Sequence, residues 1–122
     1  MRKIRIAIVG VGNCASSLVQ GINFYRSSSA NGTAVGLMHK QIGSYRPGDI
    51  EVVAAFDIDR RKVVLDVSKA IFAPPNCTKV FREQVSLTGA IVKMGCVFDS
   101  FADHMRDQDP LRTFLPLEKE ST

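Results

Sequence analysis

The sequence predicts an α/β fold of Rossmann type, a parallel sheet whose first mononucleotide half, βαβαβ, carries an inserted loop and is incomplete. Three observations predict it. An Ile/Val-rich run breaks into the glycine turn Gly10-x-Gly12-x-x-Ala15, a helical pattern follows at once, and a second apolar run, residues 51–57, ends in the acid Asp57.

Residues 3–9 read as the first strand, nearly continuous in Ile and Val, as in a parallel strand covered on both faces. In the turn, Gly10 permits the tight bend, Gly12 lets a phosphate approach bare backbone, and the small Ala15 lets helix and strand pack closely. The helix N-terminus adds about half a positive charge at the same place. From about Asn13 to Tyr25 the pattern is helical, with Ala15, Leu18, Val19 and Ile22 forming one apolar face. Residues 27–32, three serines followed by Ala30, Asn31 and Gly32, close that helix.

Residues 33–49 are longer than a βα return needs. Leu37, Met38, His39 and Tyr45 among the glycines favour an ordered insertion packed on the domain or on a partner. After Asp57, Asp59 is expected to cap a second helix with Val63, Val64, Val67, Ala70 and Ile71 on its apolar face, and Pro74-Pro75 stops it. Residues 79–82 read as extended and residues 90–94 as a third strand. Residues 1–106 are thus expected to form a partial nucleotide-binding domain and residues 107–122 a polar tail, with no catalytic domain expected among these residues. A strand order of 3-2-1 leaves the first strand at an open edge.

At 122 residues, 45% hydrophobic, the chain suits one globular domain. The net charge of +4 is mild and scattered, which disfavours nucleic acid as a partner. Arg60-Arg61-Lys62, the one compact basic cluster, reads as a solvated start to a helix. No apolar run approaches the roughly 18–20 residues of a membrane span, and no signal-peptide pattern is present. Cys14, Cys77 and Cys96 are odd in number and lie far apart, against a disulfide framework or zinc site and in favour of a reducing cytoplasm. Cys14 at the helix start reads either as an activated thiol or as a small residue filling the turn. The second is favoured, because no base or resolving cysteine lies nearby in sequence. His39 and His104 lack ligand-spaced partners, so no metal is expected.

Asp57 completes the pattern. An acid at the end of the second strand accepts hydrogen bonds from the adenosine ribose, and its charge repels a 2′-phosphate. Arg60 and Arg61 point the other way, but the acid lies closer, so NAD is preferred to NADP. The insertion explains why Asp57 follows the glycines at more than the usual spacing of about 20 residues.

The words that carry these features are IRIAIVGVGNCASSLVQGI (4–22), GLMH (36–39), PGDIEVVAAFDID (ending at Asp59) and AIFAPPNCTKV (ending at Val80), with a thinner match through MGCVFDSFADHM. In them the chain resembles the N-terminal part of the bacterial and archaeal inositol-3-phosphate synthases. The resemblance implies a cytoplasmic, homo-oligomeric isomerase of inositol and phospholipid biosynthesis. It converts glucose 6-phosphate to 1L-myo-inositol 1-phosphate through NAD-dependent oxidation at C5, enolisation, aldol closure and reduction. It further implies that Gly10, Gly12, Asn13, Cys14 and Ala15 form the pyrophosphate turn, that Asp57 binds the adenosine ribose, and that Ile58 lies beside the adenine. The family's sugar-phosphate residues lie beyond the matched region. No catalytic residue is therefore assigned, and these 122 residues alone are expected to be inactive. Two alternatives stand beside this reading: the NAD half of another oxidoreductase, and a non-enzymatic module binding a nucleotide or a partner through its open strand edge.

Overall fold

The computed structural model describes residues 3–28, 36, 37, 39, 41–82, 84–95 and 115. Expectations for Cys96, His104 and most of the polar tail lie outside them. Strands β1 (Ile4–Val9), β2 (Ile50–Asp57) and β3 (Val92–Met94) form a parallel sheet in the order β1-β2-β3. Helix α1 (Asn13–Ser28) makes the first crossover, and the short α2 (Val67–Ala70) lies within the second. The expected βαβαβ order and its insertion are both present. Among the described residues β1 pairs only with β2, so it is the sheet edge.

One sequence expectation is corrected by the sheet itself. Among the described residues the strands are covered on one face, not both. Ile8, Val52, Ala55, Val92 and Met94 are buried, whereas Ala7, Val53 and Lys93 are exposed and Val9 is 83% exposed. The cause is topological. Both crossovers step in the same direction along the sheet, and right-handed connections then place their helices on the same side. A register shift between Ile6 and Ala7 leaves Val53 without a partner and keeps Val52 and Ala55 on the core face.

The face of α1 is also broader and more polar than predicted. Ala15, Val19 and Ile22 are buried against the sheet, but Leu18 is 45% exposed. In its place a buried stripe of Ser16, Gln20 and Asn23 runs along the helix. These side chains anchor the following chain. Gln20 Oε1 accepts the N–H groups of Phe81 (2.9 Å) and Arg82 (3.0 Å), while Asn23 Oδ1 accepts from Arg82 Nε. The extended reading of residues 79–82 thus has a physical cause: Gln20 supplies hydrogen bonds that a neighbouring strand would otherwise give.

The second helix departs most from expectation. Residues 60–64 are turns, and α2 starts only at Val67, capped by Asp66 rather than Asp59. Val63, Val67, Ala70 and Ile71 are buried as predicted, but Val64 is 77% exposed with φ 71°, a strained conformation for a β-branched residue. Asp59 does cap a turn, its Oδ1 accepting the Arg61 N–H at 2.8 Å and its carbonyl the N–H groups of Lys62 (3.0 Å) and Val63 (3.2 Å), but the turn stops at Val64, whose N–H goes to the Val92 carbonyl at 2.8 Å.

The described part of the insertion packs on α1, as its apolar content predicts. Arg26 donates from Nε to the Gly48 carbonyl (3.0 Å) and from its guanidinium to that of Ile50 (2.8 Å). A Cβ on Gly48 would lie 3.0 Å from Arg26 Cα, part of the helix backbone. Gly48→Ala is therefore expected to destabilise the fold by about 1–3 kcal/mol through overpacking, read as a lower urea midpoint with an unchanged slope. Among the described residues no helix is long and apolar enough to cross a membrane.

Candidate cofactor-binding site

The glycine turn sits where β1 ends against the middle strand. Gly10 donates its N–H to the Phe56 carbonyl at 2.8 Å, extending the ladder by one bond, and then turns away at φ 91°. That dihedral suits glycine and strains any residue with a Cβ. Gly12 starts the helix, its carbonyl accepting from Ser16 N–H at 2.9 Å. Nothing lies within 4 Å of a Cβ built on Gly12. The N–H groups of Asn13, Cys14 and Ala15 fall in the first turn, where no carbonyl of the helix can reach them. Gly12 has no side chain to cap them, and the first turn carries no acid. The result is an open set of donors at the positive end of a 16-residue helix, suited to an anion.

Between the two glycines, Val11 is wholly buried and held from both sides. Its N–H donates to Asp57 Oδ2 at 2.8 Å, and its carbonyl accepts from Lys62 Nζ (2.8 Å) and Asn76 Nδ2 (3.2 Å). Lys62 also donates to Asn76 Oδ1 at 2.8 Å and lies 3.9 Å from Asp57 Oδ2. The other oxygen of Asp57 accepts the Asp59 N–H at 2.8 Å. Asp57 thus lies at the end of β2 as predicted, but it is 7% exposed and already supports the turn through its backbone. Lys62, read from sequence as part of a solvated cluster, is fully buried. Burial pushes its ammonium below the ordinary lysine range, against the opposing pull of Asp57 and Asp59. Of that cluster only Arg60 is exposed, for Arg61 pairs with Asp59 at 2.7 Å.

The remaining site residues fall around this turn. Asn13 is exposed, yet its side chain is occupied: Oδ1 accepts the N–H groups of Cys77 (2.8 Å) and Thr78 (3.1 Å) and Nδ2 donates to Cys77 Sγ. Its carbonyl also accepts from Thr78 Oγ1 at 3.1 Å, which leaves the backbone N–H to serve the turn. Cys14 is exposed, so it does not fill the turn as a packed small residue, and Cys77 is exposed on the facing loop. Ala15 is buried beneath the helix and Ile58 is half-buried beside Asp57. Lys62 and Asn76 were missed by sequence reasoning. Asn76 stands in the quoted word AIFAPPNCTKV, whose two prolines invite the turn that delivers it. Among the described residues no three His, Cys, Asp or Glu side chains gather as a metal site would need.

A parallel βαβαβ unit with a glycine turn at the carboxyl end of its first strand defines a Rossmann-like α/β module. Comparison with known proteins narrows the class. The chain is 48% identical over 103 residues to the inositol-3-phosphate synthase of Corynebacterium glutamicum and 49% identical over 105 residues to that of Mycolicibacterium smegmatis, covering 84% and 86% of this chain. It is 43% identical over 116 residues, 95% of its length, to the enzyme of the same name from Mycobacterium tuberculosis. Among solved structures, that of Ari2 superposes with a TM-score of 0.71 at 34% identity, over 89% of this chain and 31% of that one. A myo-inositol-1-phosphate synthase-related protein from Thermotoga maritima shares the fold, with a TM-score of 0.52 at 24% identity over 77% of this chain and 23% of that one. No protein-family model matches the chain. The chain is thus similar along most of its length to inositol-3-phosphate synthases, and it spans 28–31% of the length of these curated relatives.

Proposed function

We propose that this chain is the NAD-binding portion of an inositol-3-phosphate synthase, with residues 1–106 as the nucleotide-binding unit. In this reading Gly10, Gly12, Asn13, Cys14 and Ala15 form the pyrophosphate turn, Gly10 by bending the chain and the helix start by offering its first-turn backbone N–H groups. Asp57 receives the adenosine ribose on the lone pairs left by Val11 and Asp59, and Ile58 lies against the adenine. The carrying observation is the glycine turn itself: positive φ at Gly10, open space at Gly12 and an uncapped helix N-terminus, in a sequence up to 49% identical to synthases of this name. The Asp57 carboxylate favours NAD over NADP by charge. The whole protein would be a cytoplasmic homo-oligomer converting glucose 6-phosphate to 1L-myo-inositol 1-phosphate. When bound, NAD supplies reversible hydride acceptance from the sugar, so the reaction has no net redox change. This chain's own part is to bind and orient the dinucleotide, and the sugar-phosphate chemistry is assigned to residues outside it.

Calorimetric titration tests this directly. NAD is expected to bind more tightly than NADP, and the isolated 122 residues should yield no inositol phosphate from glucose 6-phosphate. A preference for NADP would overturn the role of Asp57. Gly12→Ala gives the sharper contrast. Its Cβ enters empty space, so the melting midpoint should fall by no more than the roughly 4–8 °C that accompany 1 kcal/mol. The same Cβ occupies the path of the phosphate, and NAD affinity should fall at least about tenfold.

A further inference from the structure

We infer that Lys62 is a positioning residue for the dinucleotide turn, acting with Asn76 to lock the Val11 peptide so that the first-turn N–H groups of α1 face the pyrophosphate. The inference rests on the NAD reading above and deepens it.

Three segments meet at one residue. The turn brings the Val11 carbonyl, the loop after β2 brings Lys62, and the loop beyond α2 brings Asn76. Lys62 Nζ lies 2.8 Å from the Val11 carbonyl and 2.8 Å from Asn76 Oδ1, with no exposed surface. Asn76 Nδ2 reaches the same Val11 carbonyl at 3.2 Å and that of Ile71 at 2.9 Å, fixing the asparagine on the end of α2. Asp57 meanwhile holds the Val11 N–H. Val11 therefore has its N–H on a buried carboxylate and its C=O on a buried ammonium, so the two peptide planes flanking it are set by opposite charges. Gly12 follows directly, and its carbonyl begins α1.

A buried lysine with no surface and no outward-facing role has to be explained by what it touches. Desolvating an ammonium is costly, and a neutral donor would satisfy a carbonyl more cheaply. Its distinctive contribution is charge at the base of the turn, which offsets Asp57 and stiffens a segment whose glycines would otherwise wander.

The test uses the 122-residue chain and two variants, Lys62→Met and Asn76→Ala, with two readouts. In the ligand-free protein, amide hydrogen exchange at Val11 should accelerate at least about tenfold in Lys62→Met and less in Asn76→Ala, while amides of the α1 interior exchange as before. Under conditions where circular dichroism shows the fold retained, NAD affinity should fall at least about tenfold in Lys62→Met, and Lys62→Arg should recover part of it. A role confined to general stability would lower the unfolding midpoint yet leave affinity of the folded protein and local exchange at Val11 unchanged, and that result overturns the inference. If Lys62→Met does not fold, Asn76→Ala carries the test, with faster Val11 exchange expected and unchanged exchange overturning it. Failure of the parent chain to bind NAD would overturn the NAD reading instead, since exchange at Val11 reports the lock without ligand.

Discussion

Asp57→Asn is expected to remove about 3–5 kcal/mol of stability, the range for breaking one side of a buried charge pair. Asparagine has the same shape, so no cavity forms and the loss is electrostatic. The carboxylate accepts on both oxygens, from Val11 N–H and Asp59 N–H. An amide offers one oxygen and one NH2, so either orientation sets a donor against a donor. The Lys62 ammonium, with no exposed surface, also loses the carboxylate 3.9 Å away. Against a typical total of about 5–15 kcal/mol, such a loss leaves the domain marginal. Urea unfolding measures it directly. Adding Lys62→Met should recover part of the deficit because no buried charge then stands alone, whereas strictly additive losses would show that the pair is not coupled. An Asp57→Asn chain within about 1 kcal/mol of the parent would remove Asp57 from its place as the strut of the turn.

The residues that fold this unit divide into those whose pattern is local and those whose partners are distant. Gly10, Gly12 and Ala15 were legible because a strand, a turn and a helix start follow one another within a few positions. Asp57 was legible by its place at a strand end. Two structural features, the one-faced sheet and the late start of α2, could not be read locally. The first depends on both crossovers moving the same way, a property of topology rather than of any single strand. The second depends on competition. Asp59 caps a turn through the Arg61 N–H, but the Val64 N–H goes to the distant Val92 carbonyl, and the turn ends there instead of running on as a helix. Lys62 is the clearest case. In a run of three basic residues it reads as solvated, and only the folded chain reveals a carbonyl and an amide waiting for it across 51 and 14 positions. Gln20 lies off the apolar face that the periodicity predicts, yet it is wholly buried and holds residues 79–82 in place.

Asp66→Ala should be the most damaging change outside the turn, with an expected loss of about 2–4 kcal/mol at neutral pH from a lost cap and several charge-assisted hydrogen bonds. Asp66 Oδ1 accepts from Ser68 N–H, Thr88 N–H and Thr88 Oγ1, and Oδ2 accepts from Gly89 N–H. One carboxylate thus caps α2 and ties it to the turn entering β3. The neighbouring backbone depends on that tie, since Val67 N–H bonds to the Ala90 carbonyl and Val92 N–H to that of Leu65. Burial raises the pKa of the Asp66 carboxyl, but the backbone and side-chain donors from Ser68 and Thr88 outweigh it and hold it below the usual 3.8. Asp59 is also held below that value: burial raises it, and Arg61 and the Leu115 N–H bring it down. The sign follows from linkage. A carboxyl whose folded pKa lies below its unfolded one contributes stability that is fully present above about pH 4 and is lost as pH falls through the folded value. The parent chain should therefore lose stability in acid. The deficit of Asp66→Ala, measured by urea unfolding at pH 7 and again near pH 2–3, should shrink as the parent's carboxyl protonates. A deficit that stays constant across that range would mean that the cap acts through packing, with the charge on Asp66 contributing nothing to the tie between α2 and β3.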